Sequence, residues 1–278
     1  MNIFKIVFAV LVMNMLVISA HAEETVFDRV MKTKTINCGY IIVPPYFDKD
    51  VNTEKMSGLN YEMVEAVGKN LGFKINWKSE VGVGDVAAAL SSNKIDVMCQ
   101  TMWPSASRYS GMTFANRPQF YSAVYAIVRT DDKRFDGDLS KADNKSITSA
   151  GMEGDFSADM IQEKLPNSKH VFLPSITGLS DYFMQLTTKK ADILFMDKGT
   201  IEGFSKNNPG LIKLLPSVPP IRIFGEHLTV KSGEYKLRDM IDMATLQLVN
   251  DGTFEAIVKK YKKEFNADIY ASQSDIKK

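Results

Sequence analysis

Residues 94–108 read KIDVMCQTMWPSASR, and this stretch decides the fold. It has the pattern of a buried strand that opens into a polar loop ending at Arg108. The front half of the pattern returns later, because residues 90–101 (LSSNKIDVMCQT) align without a gap on residues 186–197 (LTTKKADILFMD). The copies end at polar residues, Thr101 and Asp197. Ligands bind beyond the carboxyl ends of strands in open α/β sheets, so the repeat predicts a two-sided pocket for a small charged molecule.

The rest of the chain alternates strand-like and helix-like segments, which favours an α/β fold. A helix is predicted over Leu59–Leu71, where apolar residues recur four apart and Gly72 supplies a stop signal. Two long strand patterns, Phe120–Arg129 and Ile221–Val230, flank a second α/β set. Their positions predict two lobes with these strands as the crossovers between them.

The N-terminus has the pattern of a secretory signal peptide. Lys5 precedes an apolar run from Ile6 to Ala20, and Ala20-His21-Ala22 offers small residues around a cleavage point after Ala22. A membrane anchor is the alternative, but such a run is short for a hydrocarbon core about 30 Å thick. No cysteine lies at the cleavage point, so we expect no lipid anchor there.

Composition excludes several classes of function. The 278-residue chain has a formal net charge of +1, and removal of the segment carrying Lys5 leaves a neutral balance, which predicts no nucleic-acid partner. The histidines are isolated, no Cys/His cluster suggests a metal, and no phosphate loop or nucleophile elbow is present. We therefore expect no catalytic residue, metal or cofactor, and no enzyme activity.

Further short motifs extend along the chain in a characteristic order. They are Gly39, Pro44-Pro45-Tyr46, Gly58-Leu59-Asn60-Tyr61-Glu62, Lys94-Ile95-Asp96, Arg108, Phe120-Tyr121, Lys190-Ala191-Asp192, Asp197, Asn250-Asp251-Gly252-Thr253 and Lys259-Lys260-Tyr261. In these motifs the chain resembles the type II periplasmic solute-binding proteins, family 3, which deliver polar amino acids to ABC transporters. The resemblance implies a two-lobed type II fold with a two-strand hinge: signal peptide 1–22, first lobe 23–127 and 225–278, second lobe 128–224.

The resemblance also implies roles for three residues. Arg108 would bind the ligand's carboxylate, since a guanidinium offers two parallel hydrogen bonds; the alternative is a surface arginine. Asp197 would pair with the ligand's ammonium, although an aspartate before a helix is also a good N-cap. Tyr46 would pack on the ligand side chain, and the alternative is an ordinary core aromatic.

Other candidate ligand-binding residues are Gln100 and Thr101 at the strand end and Trp103 in the following loop, which could instead contact solvent or pack within the loop. The segment Glu153-Gly154-Asp155 occupies the place of a hydroxyl-rich turn before a helix. Its two acids depart from the family pattern; they could cap the helix or indicate a ligand with extra positive charge. Residues 39–43 lack an aspartate that many amino-acid binders place there.

These features predict a periplasmic substrate-binding component of an ABC transporter. We expect it to be a monomer that closes on an amino acid or similar small carboxylate and works with a membrane permease. The alternative is a periplasmic lyase on the same fold, similar to cyclohexadienyl dehydratase. Cys38 and Cys99 lie in strands that the resemblance makes neighbours, so they are either bridged or two buried thiols.

Overall fold

The computed structural model describes residues 24–105 and 108–276. The predicted signal peptide and its cleavage point lie outside the described residues. The helices are α1 Val26–Thr33, α2 Leu59–Leu71, α3 Val86–Ser91, α4 Phe156–Lys164, α5 Leu179–Thr187, α6 Lys198–Asn207, α7 Tyr235–Asn250, α8 Thr253–Glu264 and α9 Gln273–Ile276. Short 3₁₀ turns cover Val83–Asp85 and Leu139–Ala142. Within the described ranges, no helix combines the length and apolar character needed to cross a membrane.

The strands are β1 Thr35–Tyr40, β2 Asp48–Lys49, β3 Met56–Ser57, β4 Lys74–Glu80, β5 Val97–Met102, β6 Met112–Phe114, β7 Phe120–Arg129, β8 Thr148–Met152, β9 Lys169–Leu173, β10 Leu194–Asp197, β11 Ile212–Leu214, β12 Arg222–Lys231 and β13 Ile269–Tyr270. The main sheet runs in the order β10-β7-β12-β5-β1-β4. β1 is parallel to β4 and β5, whereas β7 and β12 are antiparallel.

β7 and β12 connect the two lobes. Their first halves pair with each other, from Arg222 opposite Val124 to Glu226 opposite Phe120. The rest of β7 pairs with β10 in the second lobe, and the rest of β12 pairs with β5 in the first. This is the predicted two-strand hinge. The lobe boundaries at 127/128 and 224/225 fall inside these continuous strands and stay a prediction.

The aspartate in each copy of the repeat has the same structural task. Asp96 Oδ2 accepts a hydrogen bond from the backbone N–H of Asn37, at 2.6 Å, and Asp192 Oδ2 accepts one from that of Thr148, at 2.9 Å. Each carboxylate therefore ties the start of its own strand to the neighbouring parallel strand, β1 or β8. Asp96 also pairs with Arg29 and Asp192 with Arg134. The repeat thus brings β5 and β10 to corresponding places in the two lobes.

Apolar packing fixes the helices that support the site. In α2, Leu59, Met63 and Val67 are buried at a four-residue spacing against the C-terminal helices. The helix ends at Gly72, whose φ of +69° is a left-handed conformation that glycine adopts at little cost. The first lobe is also joined by a Cys38–Cys99 disulfide with a Cα–Cα distance of 5.4 Å. The two cysteines are therefore bridged in the structure and are not two buried thiols.

Candidate functional site

A cavity of 540 Å³ lies between the two lobes, at the carboxyl ends of β5 and β10. Thr101 and Asp197, the two repeat ends, both line it. Most of the wall is apolar, and its charged groups are few. The polar and aromatic residues that line it are Tyr46, Glu80, Gln100, Thr101, Trp103, Arg108, Asp155, Phe156, Ser175, Thr177, Asp197, Thr200 and Glu226.

Tyr46 and Asp197 meet across the cleft. The Tyr46 hydroxyl donates to Asp197 Oδ1 at 2.5 Å, and both side chains are buried. Asp197 is also the N-cap of α6, because Oδ1 accepts from the Thr200 N–H at 2.9 Å and Oδ2 from the Thr200 hydroxyl at 2.7 Å. Burial raises the pKa of Asp197 above its ordinary value, and these hydrogen bonds partly oppose the rise. The cap and a place in the cavity wall are therefore compatible.

Glu226 adds a second buried carboxyl that the sequence analysis missed. It lies in the hinge strand β12, is 5% exposed and lines the cavity. Its Oε1 accepts from the Ser122 hydroxyl at 2.6 Å. Burial raises the pKa of Glu226 to about 7, and the negative charge of Asp197 adds to the rise. The available signal was a single carboxylic acid within the strand Arg222–Lys231.

Arg108 is held by the turn before α4 in the other lobe. Its Nη2 donates to Asp155 Oδ2 at 3.0 Å, and its Nε donates to the Gly154 carbonyl at 2.9 Å. The two ion-pair side chains are only 9% and 10% exposed. Asp155 Oδ1 accepts from the Ser157 N–H at 3.0 Å and from its hydroxyl at 2.7 Å, which makes Asp155 the N-cap of α4. Arg108 is thus a cross-lobe contact rather than a surface arginine.

The predicted turn residues differ in their placement. Asp155 lines the cavity, whereas Glu153 and Gly154 are not among its lining residues and are exposed. The Glu153 N–H donates to the Leu173 carbonyl on β9, at 2.9 Å. Its backbone therefore extends the pairing of β8 with β9 by one hydrogen bond. Gly154 takes a φ of +67° and contributes its carbonyl to Arg108. Of this segment, only the Asp155 side chain reaches the cavity.

Aromatic side chains form much of the wall. Tyr46 stacks on Phe120 with ring centroids 5.6 Å apart. Trp103 packs edge-on against Phe156 and lies 5.3 Å from the Phe224 ring, so it connects its loop to the second lobe. The Trp103 indole N–H donates to the Ser122 hydroxyl, at 3.1 Å. Trp103 therefore packs within the protein and lines the cavity at once.

The strand end of β5 contributes two polar residues. The Thr101 hydroxyl accepts from the Asn60 amide at 3.2 Å, and both residues are buried. Gln100 is 7% exposed, and its Oε1 has no hydrogen-bond partner within the described part of the chain. A buried polar atom without a partner costs free energy, so Gln100 is the β5 residue with most to gain from a ligand contact.

The family model for bacterial extracellular solute-binding proteins, family 3, matches residues 38–264. The chain belongs to this family. The L-cystine-binding protein of Bacillus subtilis is a relative of this chain. The two are 26% identical over 220 residues, which cover 78% of this chain and 75% of that protein.

Solved structures agree on the fold of this solute-binding protein. The cysteine-binding protein of Campylobacter jejuni matches with a TM-score of 0.71 at 19% identity, over 88% of this chain and 96% of that one. An ancestral amino acid-binding protein, a precursor of cyclohexadienyl dehydratase, matches with a TM-score of 0.69 at 18% identity, over 84% and 97%. The expected two-lobed type II fold is confirmed.

The raised pKa of Glu226 gives the solute-binding protein a pH-dependent stability. Between the ordinary value of 4.5 and about 7, the unfolded chain releases this proton while the folded chain keeps it. The free energy of unfolding therefore falls as pH rises through this window. We expect Glu226→Gln to be more stable than the parent by about 2–4 kcal/mol above about pH 7.

Urea unfolding across this pH range measures the effect, with Glu80→Gln as the control because Glu80 also lines the cavity but is exposed. The Glu226 and Glu80 variants should differ above neutrality and converge at acid pH. Equal pH profiles for the Glu226 variant and the parent would refute the pKa assignment.

Proposed function

We propose that this solute-binding protein captures a small molecule bearing an amino group, an amino acid or a close relative, by closing its lobes. The observation that carries the proposal is the cavity between the lobes, to which one lobe brings Arg108 and the other Asp197. Asp197 ends β10, Arg108 lies in the loop that follows β5, and both side chains are largely buried. Closure removes water from such a cleft and strengthens ion pairs inside it. Relatives that bind cystine or cysteine support the ligand class.

Several lining residues with polar or aromatic side chains have proposed roles, the first of which concerns the ligand's amino group. Asp197 accepts the ligand's ammonium, and Glu226 reinforces the negative potential there. Tyr46 and Trp103 contact the apolar part of the ligand. The remaining polar contacts come from Gln100 and Thr101 on β5 and from Arg108 together with Asp155.

We also infer the setting of the protein. It acts outside the cytoplasm as a monomer, delivers its ligand to a membrane ABC permease and performs no covalent chemistry. The pattern Lys5, Ile6–Ala20 and Ala20-His21-Ala22 supports export to the periplasm with cleavage after Ala22. N-terminal sequencing of the exported protein tests the cleavage point.

Lobe closure is the direct test of the proposed function. Small-angle scattering with amino acids and their amine analogues should show a decrease in radius of gyration on binding, because a ligand that contacts both lobes favours the closed state. Calorimetry on the same samples gives the affinity. Compounds that bind without compaction would contradict capture by closure, and an absence of binding across the panel would contradict the proposed ligand class.

One observation favours a second candidate function, that of a lyase. A carboxyl whose pKa burial raises to about 7, in a cleft between two lobes, is suited to general acid catalysis at neutral pH, and Glu226 has that property. The fold is also that of a dehydratase precursor. Incubation with prephenate separates the two functions: a binding protein leaves it unchanged beyond its spontaneous rate, whereas a lyase converts it and loses that activity in Glu226→Gln.

A further inference from the structure

The protein supplies its own carboxylate to Arg108. Asp155 Oδ2 lies 3.0 Å from Arg108 Nη2, and Asp155 Oδ1 accepts two hydrogen bonds from Ser157 at the start of α4. A guanidinium fork and a helix N-terminus are the two kinds of group that hold a carboxylate best. Here both are engaged by one side chain, and a ligand carboxylate would have to displace it.

The remaining charge of the cavity is negative. Arg108 is the cationic side chain among the described lining residues, and it is paired with Asp155. Glu80, Asp197 and Glu226 line the same cavity without a cation among the other described lining residues. A ligand carboxylate placed beside Asp155 would meet like charge, whereas an ammonium placed between Asp197 and Glu226 would meet opposite charge.

We propose that the site takes an organic amine that lacks a free carboxylate, with Asp155 providing the carboxylate that Arg108 would otherwise bind on the ligand. The inference rests on the proposed function, because it concerns the ligand of the same cleft. It assigns Asp155 the decisive part in specificity. The apolar and aromatic wall, which includes Tyr46, Trp103 and Phe156, then contacts the body of the amine, and an aromatic face also attracts a cation.

Matched pairs of compounds test the assignment, each pair differing by one carboxylate: L-arginine with agmatine, L-lysine with cadaverine, and L-phenylalanine with phenethylamine. We expect at least one amine to bind the parent protein at least about tenfold more tightly than its amino acid, as measured by calorimetry near neutral pH. The variant Asp155→Ser keeps an N-cap for α4 but leaves Arg108 without its partner carboxylate. In this variant the ratio of the affinity for the amine to that for its amino acid should fall by at least about tenfold in the same pair.

Asp159→Ser is the matched control, because Asp159 is an exposed acid in the first turn of the same helix and is not a lining residue. It should keep the parent's preference. Two results would overturn the inference while leaving capture of an amine-bearing solute intact. In the first, the parent binds the amino acids more tightly than the amines. In the second, an Asp155→Ser variant with a native melting curve has the parent's preference. Failure of all six compounds to bind the parent protein would overturn both proposals. Asp155→Asn, which retains the size of the side chain, should shift the preference in the same direction and serves if the serine variant does not fold.

Discussion

Asp197→Asn is expected to weaken binding of the tightest amine in the panel by about 100-fold, close to 3 kcal/mol. The substitution removes a buried negative charge from the cavity wall and keeps the shape of the side chain. Asparagine can still accept hydrogen bonds from Tyr46 and from the Thr200 N–H. The folded protein should therefore keep its cap on α6, and the loss should be confined to binding.

Calorimetry measures the affinity and urea unfolding the stability. Asp181→Asn is the control, because Asp181 is an exposed acid in the first turn of α5 and does not line the cavity. It should leave both quantities unchanged. An Asp197→Asn protein with the parent's affinity would mean that Asp197 is a helix cap alone.

The second large effect is expected from separating Arg108 and Asp155. Arg108→Met should lower amine affinity by about 100-fold with little change in folding stability. We expect opening of the lobes to expose Asp155 to water, so that closure around the ligand would bury it without its partner. An unpaired buried charge costs about 3–5 kcal/mol. Asp155→Asn in the same protein removes that charge, so the double variant should recover about tenfold in affinity.

A double-mutant cycle on these variants gives the coupling between the two residues. The Arg222–Glu163 pair serves as a control, because its side chains are 38% and 47% exposed and such surface pairs couple weakly. We expect the coupling free energy between Arg108 and Asp155 to be well above that of the control pair. Additive effects of the Arg108 and Asp155 substitutions would show that the ion pair does not contribute to closure.

The elements with a regular local pattern could be predicted from the sequence. The helix Leu59–Leu71 and the strand Phe120–Arg129 have the predicted bounds, because burial follows the apolar spacing and Gly72 stops the helix. The predicted strand Ile221–Val230 begins and ends one residue later, at Arg222 and Lys231, a difference that is usual at the ends of strands. Short strands such as β11 and β13 were missed, since a segment of two or three residues forms only by pairing with β7.

The candidate site was predictable where it follows from strand ends and not where it depends on lobe contacts. Asp197 and Thr101 followed from the repeat. Glu226 did not, because its raised pKa comes from burial and from Asp197 in another part of the chain. The pairing of Arg108 with Asp155 depends on how the lobes approach each other, and two isolated residues in the sequence carry no signal of that distance.

The solute that co-purifies with the protein tests most directly whether the cleft captures a small amine-bearing molecule. Protein purified from the periplasm without added ligand is denatured, and the released small molecules are identified by mass spectrometry. We predict a compound with an amino group, at up to one molecule per chain, that is depleted when Asp197→Asn is purified in the same way. A released solute that has no amino group, or equal recovery from the parent and Asp197→Asn, would contradict capture of an amine at Asp197.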